Sequence, residues 1–269
     1  MGDRVVWVSG ASSGLGRTAA AALKRAGWTV VAGARSFTTP EGDPDLGLTL
    51  PLDVRDADSV QAFCERALAL AGAPDALVNA AGILTLGPAE DMPDTEIHAV
   101  MDTILLGSHR LTQSVLPLMR AKGGGKIAMI SSVYGLLSAP YHCAYSAAKH
   151  ALEGYSESLA LETRGQNIQV MLVEPGDHTG GSLKYRGQTE KVQPFYLESL
   201  KRVSDVIARD EAKGGDPIKL SRKLVRALGR KKLPLRLRVM NPFEAFAIMM
   251  HNVLPGRVFA WLVGAYYKV

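Results

Sequence analysis

The chain has 269 residues, of which 47% are hydrophobic and 21% are charged. These proportions are typical of a soluble globular protein and exclude a disordered, collagen-like or coiled-coil chain. Two cysteines, Cys64 and Cys143, are too few for a disulfide framework and indicate a reducing compartment. The apolar run at residues 5–8 is too short for a signal peptide or a membrane span, so we expect a cytoplasmic protein with no integral membrane segment.

The net charge of +5 is unevenly distributed along the chain. Nine basic residues and no acidic one lie between residues 217 and 243, so the remainder is net acidic. Such a segment can bind nucleic acid or an anionic membrane surface, or it can be a solvated helix face. Aromatic residues do not alternate with the basic ones, as they do on surfaces that stack nucleic-acid bases. We therefore favour the solvated face and expect no nucleic-acid partner.

Short apolar runs alternate with helical patterns over the first 175 residues. The predicted strands are 5–9, 29–34, 48–52, 76–79, 126–131 and 169–173. The predicted helices are 16–26, 56–71, 95–122 and 145–164. The third helix is expected to break near Gly107. Because the strands are continuous apolar runs, they are expected to be parallel and covered by helices on both faces. The predicted fold class is α/β, a doubly wound and mostly parallel Rossmann-like sheet of about seven strands.

The pattern changes after Pro175. No strand is predicted in residues 180–215. The remaining predicted elements are helices over 193–213 and 216–228, a strand over 235–239 at the end of the sheet, and two short helices within 243–267. We expect one domain over residues 1–269, with 180–216 and 241–269 as a substrate-side lid whose C-terminal part is helical. A substrate wall or plain core packing would equally explain the aromatic residues there: Tyr185, Phe195, Tyr196, Phe243 and Phe246.

A glycine-rich turn, SGASSGLG at residues 9–16, follows the first strand and opens the first helix. Glycines permit a tight turn and a close approach of the backbone to a pyrophosphate, which the amide groups and the positive end of the helix would hold. This strand–turn–helix context predicts a dinucleotide site. The residues expected to contact the cofactor are Gly10, Ser12, Ser13, Gly14, Leu15 and Gly16.

Arg35 and Ser36 follow the second strand, at the position where proteins that bind NAD usually have an acidic residue that contacts the ribose. An arginine at this position can pair with a 2′-phosphate. The cofactor is therefore predicted to be NADP, with NAD as an open alternative. An exposed loop arginine without a ligand is the other interpretation of Arg35.

Three polar residues are candidates for catalysis. Tyr145 and Lys149 are four residues apart on one predicted helix, so their side chains share a face. A nearby ammonium stabilises a phenolate, and we expect Lys149 to lower the pKa of Tyr145. Ser132 follows the fifth strand, where its hydroxyl would meet a substrate oxygen. A tyrosine–lysine pair alone is usually surface decoration, so the interpretation depends on the rest of the pattern.

That pattern resembles the short-chain dehydrogenase/reductase family, and most of all its hydroxysteroid and retinol dehydrogenase branch. The matching motifs occur in order as residues 9–16, Asp53-Val54, Asn79-Ala80-Ala81-Gly82, Ser131-Ser132-Val133, Tyr145-Ser146-Ala147-Ala148-Lys149 and Glu174-Pro175-Gly176. The similarity covers residues 4–180 closely and the remainder loosely. Taken together and in this order, the motifs are highly specific.

The resemblance implies that Tyr145 is the catalytic acid or base, that Ser132 holds the substrate oxygen, and that Lys149 binds the nicotinamide ribose. Hydride would pass between nicotinamide and substrate while Tyr145 moves the proton. No metal is implied. The resemblance also implies cofactor contacts at Asp53, Val54, Asn79, Ala80, Ala81, Gly82, Pro175, Gly176, His178 and Thr179. Of these, His178 is as easily structural or exposed, and Thr179 is displaced by one residue from the family's threonine.

One departure from the family is Ile104, which aligns with an asparagine that helps to hold a water next to the lysine. The isoleucine side chain cannot hydrogen-bond, so a main-chain carbonyl or Thr103 would have to replace it, or the chain has acquired another reaction. His142 and Cys143, just before Tyr145, are further candidates for the pocket wall, although the cysteine fits a small apolar filler equally well.

These observations predict an NADP(H)-dependent oxidoreductase. Its substrate is expected to be a small molecule, bulky and apolar, that contains a ketone or a secondary alcohol. Two other classes stay open. One is a non-redox catalyst of cyclisation, dehydration or isomerisation, suggested by Ile104. The other is a module that only senses NADP(H), or a protein that binds a membrane surface through its basic segment. The family also implies a homodimer or homotetramer.

Overall fold

The computed structural model describes residues 4–179 and 186–269. Its strands in chain order are β1 (Val5–Ser9), β2 (Thr29–Ala34), β3 (Glu41–Asp43), β4 (Gly47–Pro51), β5 (Ala76–Asn79), β6 (Leu84–Leu86), β7 (Gly125–Ile130), β8 (Ile168–Pro175), β9 (Arg186–Gln188) and β10 (Arg236–Val239). Within the described ranges, eight of them form one sheet in the order β10-β8-β7-β5-β1-β2-β4-β3. All neighbours are parallel except β3 and β4. Strands β6 and β9 form a separate parallel pair.

Helices cover both faces of this sheet. They are α1 (Gly14–Arg25), α2 (Ala57–Ala71), α3 (Asp94–Met101), α4 (Gly107–Lys122), α5 (Cys143–Glu162), α6 (Pro194–Ala212), α7 (Pro217–Leu228), α8 (Pro242–Val253) and α9 (Gly256–Tyr267). The side chains of β1 alternate between two core layers: Trp7 packs in one, and Val6 and Val8 pack in the other. Because both layers are apolar, the strand is a continuous apolar run, as a parallel strand covered on both faces requires.

Local capping explains where two of the later helices begin. Asp216 accepts a hydrogen bond from the Ile218 amide at the start of α7, and Pro217 occupies the first helical position. Helix α8 begins with a capping box, in which the Asn241 side chain and the Glu244 amide pair while the Glu244 carboxylate accepts from the Asn241 amide. These caps fix the chain on either side of β10.

The predicted fold class is confirmed, with differences in detail. The sheet gains an antiparallel edge strand, β3, and the small β6–β9 pair is additional. The expectation of no strand in residues 180–215 is wrong, because β9 lies there. Strands of three residues carry almost no periodicity, so only their tertiary partners identify them. The helix predicted over 95–122 is divided by a π-helical turn at Asp102–Leu106, next to the expected break at Gly107.

The basic segment divides into two environments. Arg222, Lys223 and Arg226 are exposed on α7, as predicted for a solvated helix face. By contrast, Arg236 and Arg238 on β10 form ion pairs with carboxylates of β8 and α5. Part of the basic excess therefore neutralises buried acids of the sheet. In the ranges that the structure describes, no helix combines the length and the apolarity needed to cross a bilayer.

Candidate active site

A cleft runs along the carboxyl ends of the parallel strands, where ligands bind in open α/β sheets. It brings most of the predicted site residues to one surface. The predicted residues that line it are Gly10, Ser12, Ser13, Gly14, Leu15, Gly16, Arg35, Ser36, Asp53, Val54, Ala80, Ala81, Gly82, Ser132, Tyr145, Lys149, Pro175, Gly176 and His178. Residues far apart in sequence thus meet because every parallel strand ends at the same edge.

The glycine-rich turn lies between β1 and α1 at one end of the cleft. Gly10 has a φ of 67°, and a Cβ atom there would lie 2.7 Å from the Cα of Ala81. A Cβ on Gly16 would lie 2.3 Å from the carbonyl oxygen of Gly10. A side chain at either position would thus collide with the backbone, so this turn requires glycine at both. Helix α1 begins here with Ser13 as an N-cap whose side chain makes no capping bond, so no described side chain caps its first amides.

Two arginines and one carboxylate lie beyond this turn. Arg35 and Ser36 follow β2, are exposed, and line the cleft. Asp53, after β4, forms an ion pair with Arg55 at 2.8 Å, and this hydrogen bond lowers the pKa of the Asp53 carboxyl. The charge of Arg35 lowers it further. Sequence reasoning did not identify Arg55, which places a second guanidinium at this end of the cleft.

Two residues predicted to contact the cofactor do not line the cleft. Asn79 is 2% exposed, and its amide nitrogen donates to the Thr112 hydroxyl at 3.2 Å, which ties β5 to α4. Thr179 is exposed and its amide donates to the Gly215 carbonyl oxygen. The Asn79 side chain therefore joins two elements of the fold instead of lining the cleft. The Thr179 amide bonds to a residue outside the cleft.

The three candidate catalytic side chains meet at the other end of the cleft. Tyr145 and Lys149 lie one turn apart on α5, and Lys149 Nζ lies 5.5 Å from the centre of the Tyr145 ring. Ser132 follows β7, is 7% exposed, and its hydroxyl lowers the pKa of Tyr145 in the same cleft. Lys149 is 5% exposed and donates to the Ile130 carbonyl oxygen at 2.7 Å. The sheet edge and one helix together hold the phenol, the hydroxyl and the ammonium in place.

Burial controls the charges of this group. It raises the pKa of Tyr145 to about 12, against a smaller lowering by the Ser132 hydroxyl. It lowers the pKa of Lys149 to about 8. The expectation that the lysine lowers the tyrosine pKa is therefore wrong for the protein alone, because loss of solvation dominates for a buried phenol. At neutral pH the phenol is protonated and is ready to donate a proton.

Residue 104, where the asparagine is missing, lies in the apolar core, which explains why an isoleucine fits there. Ile104 is 1% exposed and packs in the main apolar cluster. Neighbouring Thr103 lines the cleft, and its hydroxyl donates to the Ala99 carbonyl oxygen at 2.7 Å. A main-chain carbonyl, that of Ile130, is the hydrogen-bond partner of Lys149. Lys149 thus has a main-chain acceptor that does not depend on the side chain at position 104.

The substrate end contains residues that sequence reasoning missed. Asp177 directly follows the predicted Pro175-Gly176 pair, so its position was an available signal. Glu211 and Ile207 come from α6, and nothing local marks them. Tyr134 lines the same wall, as does His142, which was a candidate.

The aromatic residues predicted as a substrate wall lie elsewhere. The exposed fractions of Phe195, Phe243 and Phe246 are 85%, 56% and 53%, and none of them lines the cleft. Tyr196 donates to the Glu90 carboxylate outside it. Tyr185 lies outside the described residues. In the part of the chain that is described, no group of three or more His, Cys, Asp or Glu side chains is placed to hold a metal ion, and both cysteines are free thiols.

Comparison with known proteins agrees with this arrangement. The model of the short chain dehydrogenase family matches residues 4–190. A 3-ketodihydrosphingosine reductase from Bacteroides thetaiotaomicron is 32% identical over 275 aligned residues, which cover 100% of both chains. A dehydrogenase/reductase SDR family protein 7-like from Drosophila melanogaster is 33% identical over 85% of this chain and 71% of its own length. The crystal structure of a short-chain dehydrogenase from Streptomyces avermitilis has 33% identity and a TM-score of 0.83, with 97% of this chain and 95% of that chain covered.

The chain belongs to the short-chain dehydrogenase family, and it is an oxidoreductase. The predicted family is confirmed, and the family 7-like relative agrees with the predicted branch. Relatives named as reductases or dehydrogenases do not favour the non-redox alternative suggested by Ile104. The family and the shape of the glycine-rich turn together support a nicotinamide dinucleotide as cofactor.

Proposed function

We propose that this protein reduces a ketone on a bulky, apolar substrate with NADPH, using Tyr145 as the proton donor. The observation that carries this proposal is the meeting of Tyr145, Ser132 and Lys149 in the same cleft as the glycine-rich turn. Burial raises the pKa of Tyr145 to about 12, so the phenol is protonated at neutral pH, which is the state that a proton donor requires. The relative named for a keto substrate agrees with a reduction.

The residues present fit the cofactor. The amides at the start of α1, which no described side chain caps, would hold the pyrophosphate, and Gly10 and Gly16 permit the tight turn that precedes them. Arg35 and Arg55 would face the adenosine end, and Arg35 is not already paired with a carboxylate in the described structure. A free guanidinium next to the ribose favours a 2′-phosphate, which is the basis for NADPH over NADH.

Each catalytic side chain has a separate task. Ser132 would orient the substrate oxygen through its hydroxyl, and Tyr145 would donate its phenolic proton to that oxygen. Lys149 would stabilise the phenolate that remains, because its ammonium lies beside the ring. The bound nicotinamide would supply the hydride to the carbonyl carbon. The proton and the hydride together convert the ketone to a secondary alcohol.

The test is NADPH consumption with a panel of long-chain ketones. Tyr145→Phe removes only the hydroxyl, and we expect it to lower kcat by about 10²- to 10⁴-fold. Tyr155→Phe is the matched control: Tyr155 lies on the same helix but contacts His109 away from the cleft, and the variant should keep the wild-type rate. Equal rates for Tyr145→Phe and wild type would refute the proposed chemistry.

Cofactor preference has its own experiment. Arg35→Ala should reduce the ratio of kcat/KM for NADPH to that for NADH by about 10- to 100-fold, the value of a hydrogen bond to a charged group. Arg66→Ala, an exposed arginine on α2, is the control and should leave the ratio unchanged. An Arg35→Ala ratio equal to wild type would contradict the assignment of Arg35 to the 2′-phosphate.

A further inference from the structure

The substrate end of the cleft contains a carboxylate that nothing in the described structure neutralises. The side chain of Asp177 makes no hydrogen bond or ion pair with any described residue, although it lines the cleft. Its main chain is fixed on both sides: the amide donates to Glu244 Oε1 at 2.6 Å, and the carbonyl oxygen accepts from the Gly215 amide at 2.8 Å. These main-chain bonds thus hold Asp177 at the cleft, and neither of them is a hydrogen bond to its carboxylate.

The charges around Asp177 are mostly negative. Glu244, Asp210 and Glu211 all raise its pKa, and Arg186 lowers it. Arg186 is itself held by Glu211 at 2.5 Å, with both side chains almost buried. Together with burial, which is the largest cause, these carboxylates raise the pKa of Asp177 to about 7. A cation bound beside Asp177 would stabilise the charged form of its carboxyl group.

A second, independent acceptor lies on the same wall. His142 is 1% exposed, lines the cleft, and stacks on Tyr134 with ring centres 4.8 Å apart. Its Nδ1 lies 2.9 Å from the Pro140 carbonyl oxygen and must carry the proton, because a carbonyl can only accept. Burial lowers the pKa of His142 to about 4, so the ring is neutral. Its buried Nε2 is therefore a bare acceptor, and it has no hydrogen-bond partner among the described residues.

Both acceptors line the same cleft as the proposed proton donor. The charge of Asp177 raises the pKa of Tyr145, and so does that of Glu211. The Tyr134 ring that stacks on His142 also contacts Tyr145, with ring centres 6.3 Å apart. A group bound by these acceptors would lie beside the carbon that Tyr145 and the cofactor act on.

We propose that Asp177 and His142 bind a protonated amine on the substrate, so that the enzyme acts on amino ketones. An ammonium offers three hydrogen-bond donors and one positive charge, which matches one unpaired carboxylate and one unpaired imidazole nitrogen. Ile207 and Leu84 line the cleft nearby and suit an apolar chain. The amine is unchanged in the reaction; it positions the neighbouring ketone. This inference rests on the proposed reduction and specifies its substrate class.

The test compares two ketones of the same shape at pH 7 with NADPH: 2-aminodecan-3-one as its ammonium salt, and 2-methyldecan-3-one, in which a methyl group replaces the ammonium. The wild-type kcat/KM should be at least about tenfold higher for the amino ketone. Asp177→Asn should lower the ratio of the amino ketone value to the methyl ketone value by about 10- to 100-fold. His142→Phe keeps the ring and removes the acceptor, and it should lower the same preference.

Asp210→Asn is the matched control, because Asp210 also raises the pKa of Asp177 but bonds to Tyr266 and does not line the cleft. It should keep the preference for the amino ketone. Thermal unfolding and NADPH titration of each variant separate loss of fold or of cofactor binding from loss of amine recognition. Equal wild-type rates on the two ketones, or a preference that survives Asp177→Asn, would overturn the amine site.

Failure of the reductase proposal would give a different result, namely no turnover of either ketone with NADPH or NADH. The amine site is then tested by calorimetric titration of 2-aminodecan-3-ol into the protein with NADP⁺ present. Binding by wild type that weakens by about tenfold or more in Asp177→Asn supports the site. Equal binding by both, or no binding by wild type, overturns it.

Discussion

Arg236 joins the sheet to the helix that carries the proposed catalytic pair. From β10 its guanidinium reaches Glu174 on β8 and both Glu153 and Glu157 on α5, with a distance of 2.6 Å to Glu153. The Glu174 side chain is fully buried and that of Glu153 is 8% exposed. We consider Arg236→Met, which keeps the length and the apolar stem of the side chain and removes the charge.

The expected loss of stability follows from the carboxylates left behind. Removing one partner of a buried ion pair costs about 3–5 kcal/mol, because the other charge stays desolvated. Arg238 still pairs with Glu174 at 2.7 Å, so we expect the lower end, about 3 kcal/mol at pH 7. Arg238→Met is the control: that side chain is 51% exposed, and its loss should cost about 1 kcal/mol or less.

Urea unfolding at several pH values measures both the loss and its cause. Burial raises the pKa of Glu153, so the folded protein takes up a proton there more readily than the unfolded chain. Loss of Arg236 removes a charge that opposes this rise. The deficit of the variant should therefore shrink as the pH falls from 8 towards 5. A loss below about 1 kcal/mol at pH 7, or a deficit that grows on acidification, would refute this account of the ion pairs.

Three other predictions concern the site and the core. Gly176→Ala would place a Cβ 1.9 Å from a Glu244 carboxylate oxygen. We expect this variant to lower the free energy of unfolding by about 1–3 kcal/mol and to lower the rate of ketone reduction. An unchanged melting temperature would contradict the contact. Burial raises the pKa of the Cys64 thiol to about 11, so a thiol reagent at pH 8 should modify the half-buried Cys143 first and Cys64 only on unfolding, as counted by mass spectrometry. Burial lowers the pKa of Lys149 to about 8, so the ammonium is present below pH 8 and lost above it. The kcat/KM for ketone reduction should therefore fall above about pH 8. A profile that is flat to pH 10 would exclude the stabilisation of the phenolate by Lys149.

The sequence by itself determined the parts of this protein that are local. The strand–turn–helix at residues 9–16 can be read from one segment because the glycines that permit the turn are adjacent in the chain. Tyr145 and Lys149 share a face because helix geometry puts residues i and i+4 together. Continuous apolar runs such as β1 indicated buried parallel strands before any partner was known. These signals were sufficient for the family, the fold class and most of the predicted site residues that line the cleft.

Only the tertiary structure decided the substrate end and the charges of the site. Glu211 reaches the cleft from a helix far along the chain, and the hydrogen bond of Glu244 to Asp177 joins residues 67 positions apart. The short strand β9 exists through its pairing with β6. The direction of the Tyr145 pKa shift depended on burial, which outweighs the effect expected from a nearby lysine. Desolvation and long-range contacts depend on what surrounds a residue in space, and sequence spacing does not record those surroundings.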